Sequence, residues 1–158
     1  MINGGRAFVA GMTGGAVMTG IMWMARTFMG MPMNLEMMEG TMLVHTPGTA
    51  AWVVGFVMHL MISGLIALAY AWAFEHVVHR SGAGVGALFG LVHAVVAGVA
   101  MGMVPSVHPL IPEQMPAPGA FLSNIPMGVV ALFMLHAIYG AVVGAMYVPV
   151  RAPRLATA

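Results

Sequence analysis

Four long apolar stretches, at about residues 6–28, 50–76, 83–104 and 126–148, are almost free of charge and alternate with short segments rich in Pro, Gly and Ser. A bilayer core about 30 Å thick is crossed by roughly 20 apolar residues in helical form. Each stretch is long enough to do so. The separators are helix stops: Met31-Pro32, Thr46-Pro47-Gly48, Ser81-Gly82-Ala83-Gly84, and the Pro-rich run from Pro105 to Pro118. The pattern therefore predicts an all-α protein, an integral membrane four-helix bundle forming a single transmembrane domain over 1–158, with no room for a soluble domain. Small residues recur in every stretch, among them Gly11, Gly14 and Gly15, Gly55 and Gly64, Gly86 and Gly90, and Gly140 and Gly144. Helices associate in lipid through close packing at such positions. The sizeable insert, segment 34–44, predicts a short amphipathic helix on the membrane surface, with Met37, Met38 and Met42 in the headgroup region and Glu36 and Glu39 in water.

The halves of the chain resemble one another. Phe56, His59 and Tyr70 are repeated in spacing by Phe133, His136 and Tyr147, and the exits Met29-Gly30-Met31-Pro32 and Met101-Gly102-Met103-Val104-Pro105 precede the two sets. This predicts a tandem repeat of two helical hairpins related by an axis along the membrane normal. His then falls near mid-membrane and Tyr near the cytoplasmic interface.

Composition narrows the chemistry. The charged residues are five Arg and four Glu, and the chain has no Lys, Asp or Cys. That excludes a P-loop, a lysine Schiff base, a disulfide, a thiolate nucleophile, an iron–sulfur cluster and a covalently attached c-type haem. A formal net charge of +1 without a basic cluster argues for no nucleic acid partner. Placing both termini in the cytoplasm puts Arg6, Arg80, Arg151 and Arg154 inside and Glu36, Glu39 and Glu113 outside, as the positive-inside rule favours. Arg26, beside Trp23, is expected to snorkel to the outer headgroups. The first apolar stretch is too long for a cleavable signal and lacks a small-residue cleavage site, so it is expected to remain as the first span. These readings place the chain in a bacterial inner membrane, multi-pass, N-in and C-in, with the lipid bilayer as its surroundings and other membrane subunits or a homo-oligomer as partners.

What remains for chemistry is seven His, the four Glu and nineteen Met, against twelve Leu. His59, His93 and His136 each lie about ten residues from the outer end of their helices, hence at one depth within about a helical turn. Met18 and Met22 of the first helix reach the same level, and Ser63, Ala97 and Gly140 stand one turn beyond each His. Buried imidazoles in a membrane are functional candidates by default, and neutral imidazole is a common metal ligand. Haem b or copper on His59, His93 and His136 is one reading. Hydrogen bonds from these His to carbonyls and Ser63, with no cofactor, is the other. Outside this layer, Met31 and Met33, with His45 and His108, gather near the outer loops, and soft thioethers select Cu(I). Copper capture there competes with simple burial of Met in the headgroups. The pair His76 and His79 reads as a solvated helix end.

With its MGMP and MGMVPSVHP helix exits, its HAIYGAVVGAMY ending and its mid-helix His, the chain resembles small four-helix bacterial inner-membrane proteins of uncharacterised families. The resemblance implies fold and location, and no chemistry. Two functions are therefore expected: binding of a transition metal or haem for copper handling or electron transfer, or a non-catalytic accessory subunit of a larger membrane complex. A self-contained hydrolase is not expected, because no Ser stands in a nucleophile setting such as G-x-S-x-G.

Overall fold

Caps and stops in the sequence set where the helices begin and end. In the computed structural model, which describes residues 2–149, α1 spans Gly4–Met29, α2 Leu35–Val44, α3 Thr49–His76, α4 Ala83–Val107 and α5 Gly128–Met146, with a 3-10 turn at Ala120–Leu122. Arg151 and Arg154 lie outside the described residues. Asn3 and Asn34 open α1 and α2 by accepting the backbone N–H groups of Arg6 and Met37, both at 3.1 Å. Gly30, in the left-handed region, closes α1. The α4 helix runs three residues past the expected end, through Pro105, because a proline in the last turn removes a hydrogen bond with little helix left to disturb. α1, α3, α4 and α5 are each long and apolar enough to cross a membrane, and no strand occurs among the described residues.

Two antiparallel pairs form the frame. A Cβ placed on Gly86 would overlap the Gly140 carbonyl, and one on Gly90 the His136 carbonyl, so α4 and α5 touch backbone to backbone. In α1, Gly11 and Gly15 face Ser63, Gly64 and Ala67 of α3. The pairs join where Gly14 of α1 receives the Tyr139 ring of α5. At the end of the bundle that carries the N-terminus, polar contacts close the frame. Tyr147 donates its hydroxyl to Glu75 at 2.8 Å and accepts the Asn3 N–H at 3.1 Å, while Arg6 Nε donates to the Met146 carbonyl at 2.7 Å. Burial first, and then Glu75, hold the Tyr147 phenol above its usual range against the opposing pull of Asn3.

The helix expected at 34–44 is present, but its expected setting is corrected. α2 does not lie with both glutamates in water: Glu36 is 1% exposed and Thr41 is fully buried. The reason is a second glycine seam. Gly40 rests on the Ala51 carbonyl of α3 and Gly55 of α3 on the Glu36 carbonyl, so the Glu36–Gly40 face is the one that packs. From this register α2 runs antiparallel to α3, and its first turn drops back to the level of Gly55, about four turns before Tyr70. Glu39 is thereby carried inward to His59.

The repeated Phe, His and Tyr positions do not play equivalent parts. Tyr70 sits inside the bundle with its hydroxyl 3.2 Å from His93 Nδ1, whereas Tyr147 belongs to the polar contacts at the terminal end. The inserts differ as well: α2 packs on α3, while the 3-10 turn packs mainly on α4.

A candidate site lined by histidine and methionine

The half of the frame away from the termini holds a cavity of about 620 Å³. This falls within the roughly 300–1,000 Å³ of small-molecule and cofactor sites. Its wall is overwhelmingly apolar, and nine of the nineteen methionines line it, Met18, Met31 and Met33 among them. The polar groups are few. His59, His93 and His136 all face the same space, with Glu39, Ser63 and Tyr139. Tyr139 donates its hydroxyl to the Ser63 carbonyl at 2.5 Å, bridging α5 to α3 along the floor.

Each imidazole is held by one nitrogen. His136 Nδ1 donates to the Leu132 carbonyl one turn earlier, at 2.8 Å. His59 Nδ1 lies 3.4 Å from Glu39 Oε1, and its Nε2 is buried with no partner among the described residues. His93 Nδ1 meets the Tyr70 hydroxyl. A ring held through Nδ1 by a carbonyl or carboxylate presents Nε2 as a lone pair, which is the usual arrangement of a metal-binding imidazole. The rings of His93 and His136 stand edge to face with centroids 4.6 Å apart, and Tyr139 packs on His93 at 5.7 Å. His59 approaches the same space from α3, beside Gly15. Among the described residues no three His or Glu side chains are grouped closely enough to share one ion. A soft ion would therefore have to complete its shell with thioethers.

The structure thus brings together six of the eight expected ligands: Met18, Met31, Met33, His59, His93 and His136 share the cavity. It separates the other two. His45 ends α2 on the surface, with Nε2 3.1 Å from the Met42 carbonyl. His108 is 6% exposed and has both nitrogens engaged, Nε2 donating to the Met38 carbonyl at 2.9 Å and Nδ1 accepting the Leu110 N–H at 3.1 Å. It fastens the α4–α5 connection to α2 and has no lone pair to offer. Among the described residues Ser63 makes no hydrogen bond to any of these His; its carbonyl accepts from Tyr139 instead. The sequence assigns no site role to Glu39, Tyr70 or Tyr139: Glu39 is expected in water and Tyr70 near the cytoplasmic interface, whereas Tyr70 meets His93 inside the bundle. Tyr139 follows His136 by three residues on one helix face, a signal that was present in the sequence. Nothing local in the sequence marks Glu39, which reaches the site only because α2 folds back.

The chain matches no known protein family, no curated protein and no solved structure.

Proposed function

We propose that this is an integral membrane copper-binding protein that holds Cu(I) in its central cavity, between the His93–His136 pair and thioethers of the wall. The observation that carries the reading is that pair: two adjacent imidazoles whose Nε2 atoms make no hydrogen bond among the described residues, in a pocket walled by methionine. Imidazole with thioether is a donor set that suits Cu(I). The spacing favours a bare ion over haem b. Two axial imidazoles place their nitrogens about 4 Å apart, at about 2 Å per metal–nitrogen bond, and their ring centres farther still; the His93 and His136 centroids are 4.6 Å apart. In the N-in, C-in orientation favoured by Arg6 and Arg80, the methionine-lined half faces the outside, so the protein would take copper from that side. The two antiparallel pairs, each with an insert between its helices, support a duplicated hairpin as the origin of the bundle.

Titration of the purified protein with Cu(I) against a competing chelator tests the reading, with elemental analysis and a visible spectrum of the protein as isolated. One Cu(I) per chain is expected, with His93→Ala and His136→Ala each weakening it at least about tenfold, the loss of one good ligand, and His45→Ala leaving it unchanged. No bound Cu(I), or an affinity in the His93→Ala and His136→Ala variants equal to that of the wild type, would refute it. A Soret band in the isolated protein would replace copper with haem.

A further inference from the structure

Copper held by His93 and His136 leaves the Glu39–His59 pair without a task. Both side chains line the cavity, and each keeps a buried acceptor with no partner among the described residues: His59 Nε2, on a residue 6% exposed, and Glu39 Oε2. Buried polar atoms are nearly always hydrogen-bonded, and an exception asks for an explanation such as a ligand. With His59 Nδ1–H directed at the carboxylate, both orphaned atoms are acceptors. They call for a ligand that brings hydroxyl donors.

The route in is visible as well. α1 and α5 touch at Gly14 and Tyr139, and residues of both helices past that contact line the cavity. Beyond that point Met24 and Phe28 of α1, and Val130 and Met134 of α5, line the cavity while being between 48% and 77% exposed. Residues that are both wall and surface form a rim, so the cavity opens sideways between these helices. All four lie inside the candidate spans Gly4–Met29 and Gly128–Met146, so in a bilayer the opening meets acyl chains rather than water. The wall itself suits a flat ring, because thioethers make favourable contacts with aromatic faces and edges. The volume of about 620 Å³ is far more than an ion fills.

We propose that the cavity also takes a lipid-soluble molecule with a hydroxylated aromatic head, of the quinol class, which enters from the bilayer between α1 and α5 and donates its hydroxyls to His59 Nε2 and Glu39 Oε2. The site is distinct from the copper pair and needs no metal. Its occupant comes from the membrane, and the apolar rim excludes charged relatives of the same ring.

The experiment uses metal-free protein in lipid nanodiscs, titrated with a decyl-chain benzoquinol and, in parallel, with the same molecule methylated on both oxygens. The quinol should bind one per chain and roughly a hundredfold tighter than its dimethyl ether, about tenfold for each of two well-buried hydrogen bonds. His59→Phe should weaken the quinol by about tenfold and leave the ether unaffected. Glu39→Gln, which keeps the shape of the side chain, serves as a second variant should His59→Phe fail to fold, and should weaken the quinol but not the ether. Met134→Trp, at the rim, should slow the binding of both. Equal affinity for quinol and ether, or quinol binding that His59→Phe and Glu39→Gln leave unchanged, would overturn the proposal, as would no binding at all. Cu(I) binding fails or survives separately, because it is read from His93→Ala and His136→Ala in the absence of any quinol.

Discussion

At the scale of single residues, the cavity is defined by which ring nitrogen each histidine has already spent. His136 uses Nδ1 on the carbonyl of its own helix, so its orientation is fixed before anything binds. His108 spends both nitrogens and is structural. Tyr139 matters for a different reason. Its hydroxyl spans from α5 to the Ser63 carbonyl in a buried setting, where water cannot replace it. Tyr139→Phe keeps the ring that fills Gly14 and removes that bond, so it should cost about 1 kcal/mol. Thermal unfolding of wild type and variant in the same detergent measures it; an unchanged midpoint would mean that the bridge contributes nothing. Tyr70→Phe frees His93 Nδ1 from its partner, leaving the ring turned by packing alone. Cu(I) affinity should fall by about tenfold with the loss of this outer support, and chelator competition would read it.

At the scale of helices, two glycine seams decide what meets what. The α4–α5 seam at Gly86, Gly90 and Gly140 brings the His93 and His136 rings into contact, since neighbouring helix axes must approach closely for imidazoles one turn from the seam to touch. The α2–α3 seam at Gly40 and Gly55 carries Glu39 to His59. A side chain at either seam pushes backbones apart, a change of the overpacking kind that costs about 1–3 kcal/mol. Gly40→Val is expected to unseat α2 while leaving the four long helices assembled. Limited proteolysis should then cut between residues 30 and 48 in the variant and spare the wild type. Equal resistance would show that α2 is held by something other than this seam. Gly86→Val should act elsewhere, parting His93 from His136 and lowering Cu(I) affinity without exposing the α2 segment.

At the scale of the whole molecule, the absence of native cysteine makes orientation directly measurable. Single replacements Glu113→Cys, in the α4–α5 connection, and Ser81→Cys, between α3 and α4, lie at opposite ends of the bundle. In intact cells an impermeant thiol reagent should label the first and spare the second if both termini face the cytoplasm. The reverse pattern would invert the orientation, and with it the side that the methionine-lined cavity faces.

The elements follow from local pattern alone. Apolar stretches of span length, bounded by Pro and Gly, leave the backbone little alternative to helices, because in an apolar medium a chain must satisfy its own hydrogen bonds. Helical rise then fixes depth, so the common level of His59, His93 and His136 was legible before any contact was known, and Met18 with it. Azimuth and company came from packing between distant segments. Which way α2 turned after Pro32 depended on Gly40 and Gly55 finding each other across the fold, and Glu36 and Glu39, read from local pattern as water-facing, went inside as a result. The same long-range packing closed both nitrogens of His108, left His45 at the surface, and opened the frame beyond Gly14 and Tyr139 into a cavity. Spacing along one chain encodes height within a bundle. Contact between helices is fixed by small residues on separate segments, whose pairing no local pattern specifies.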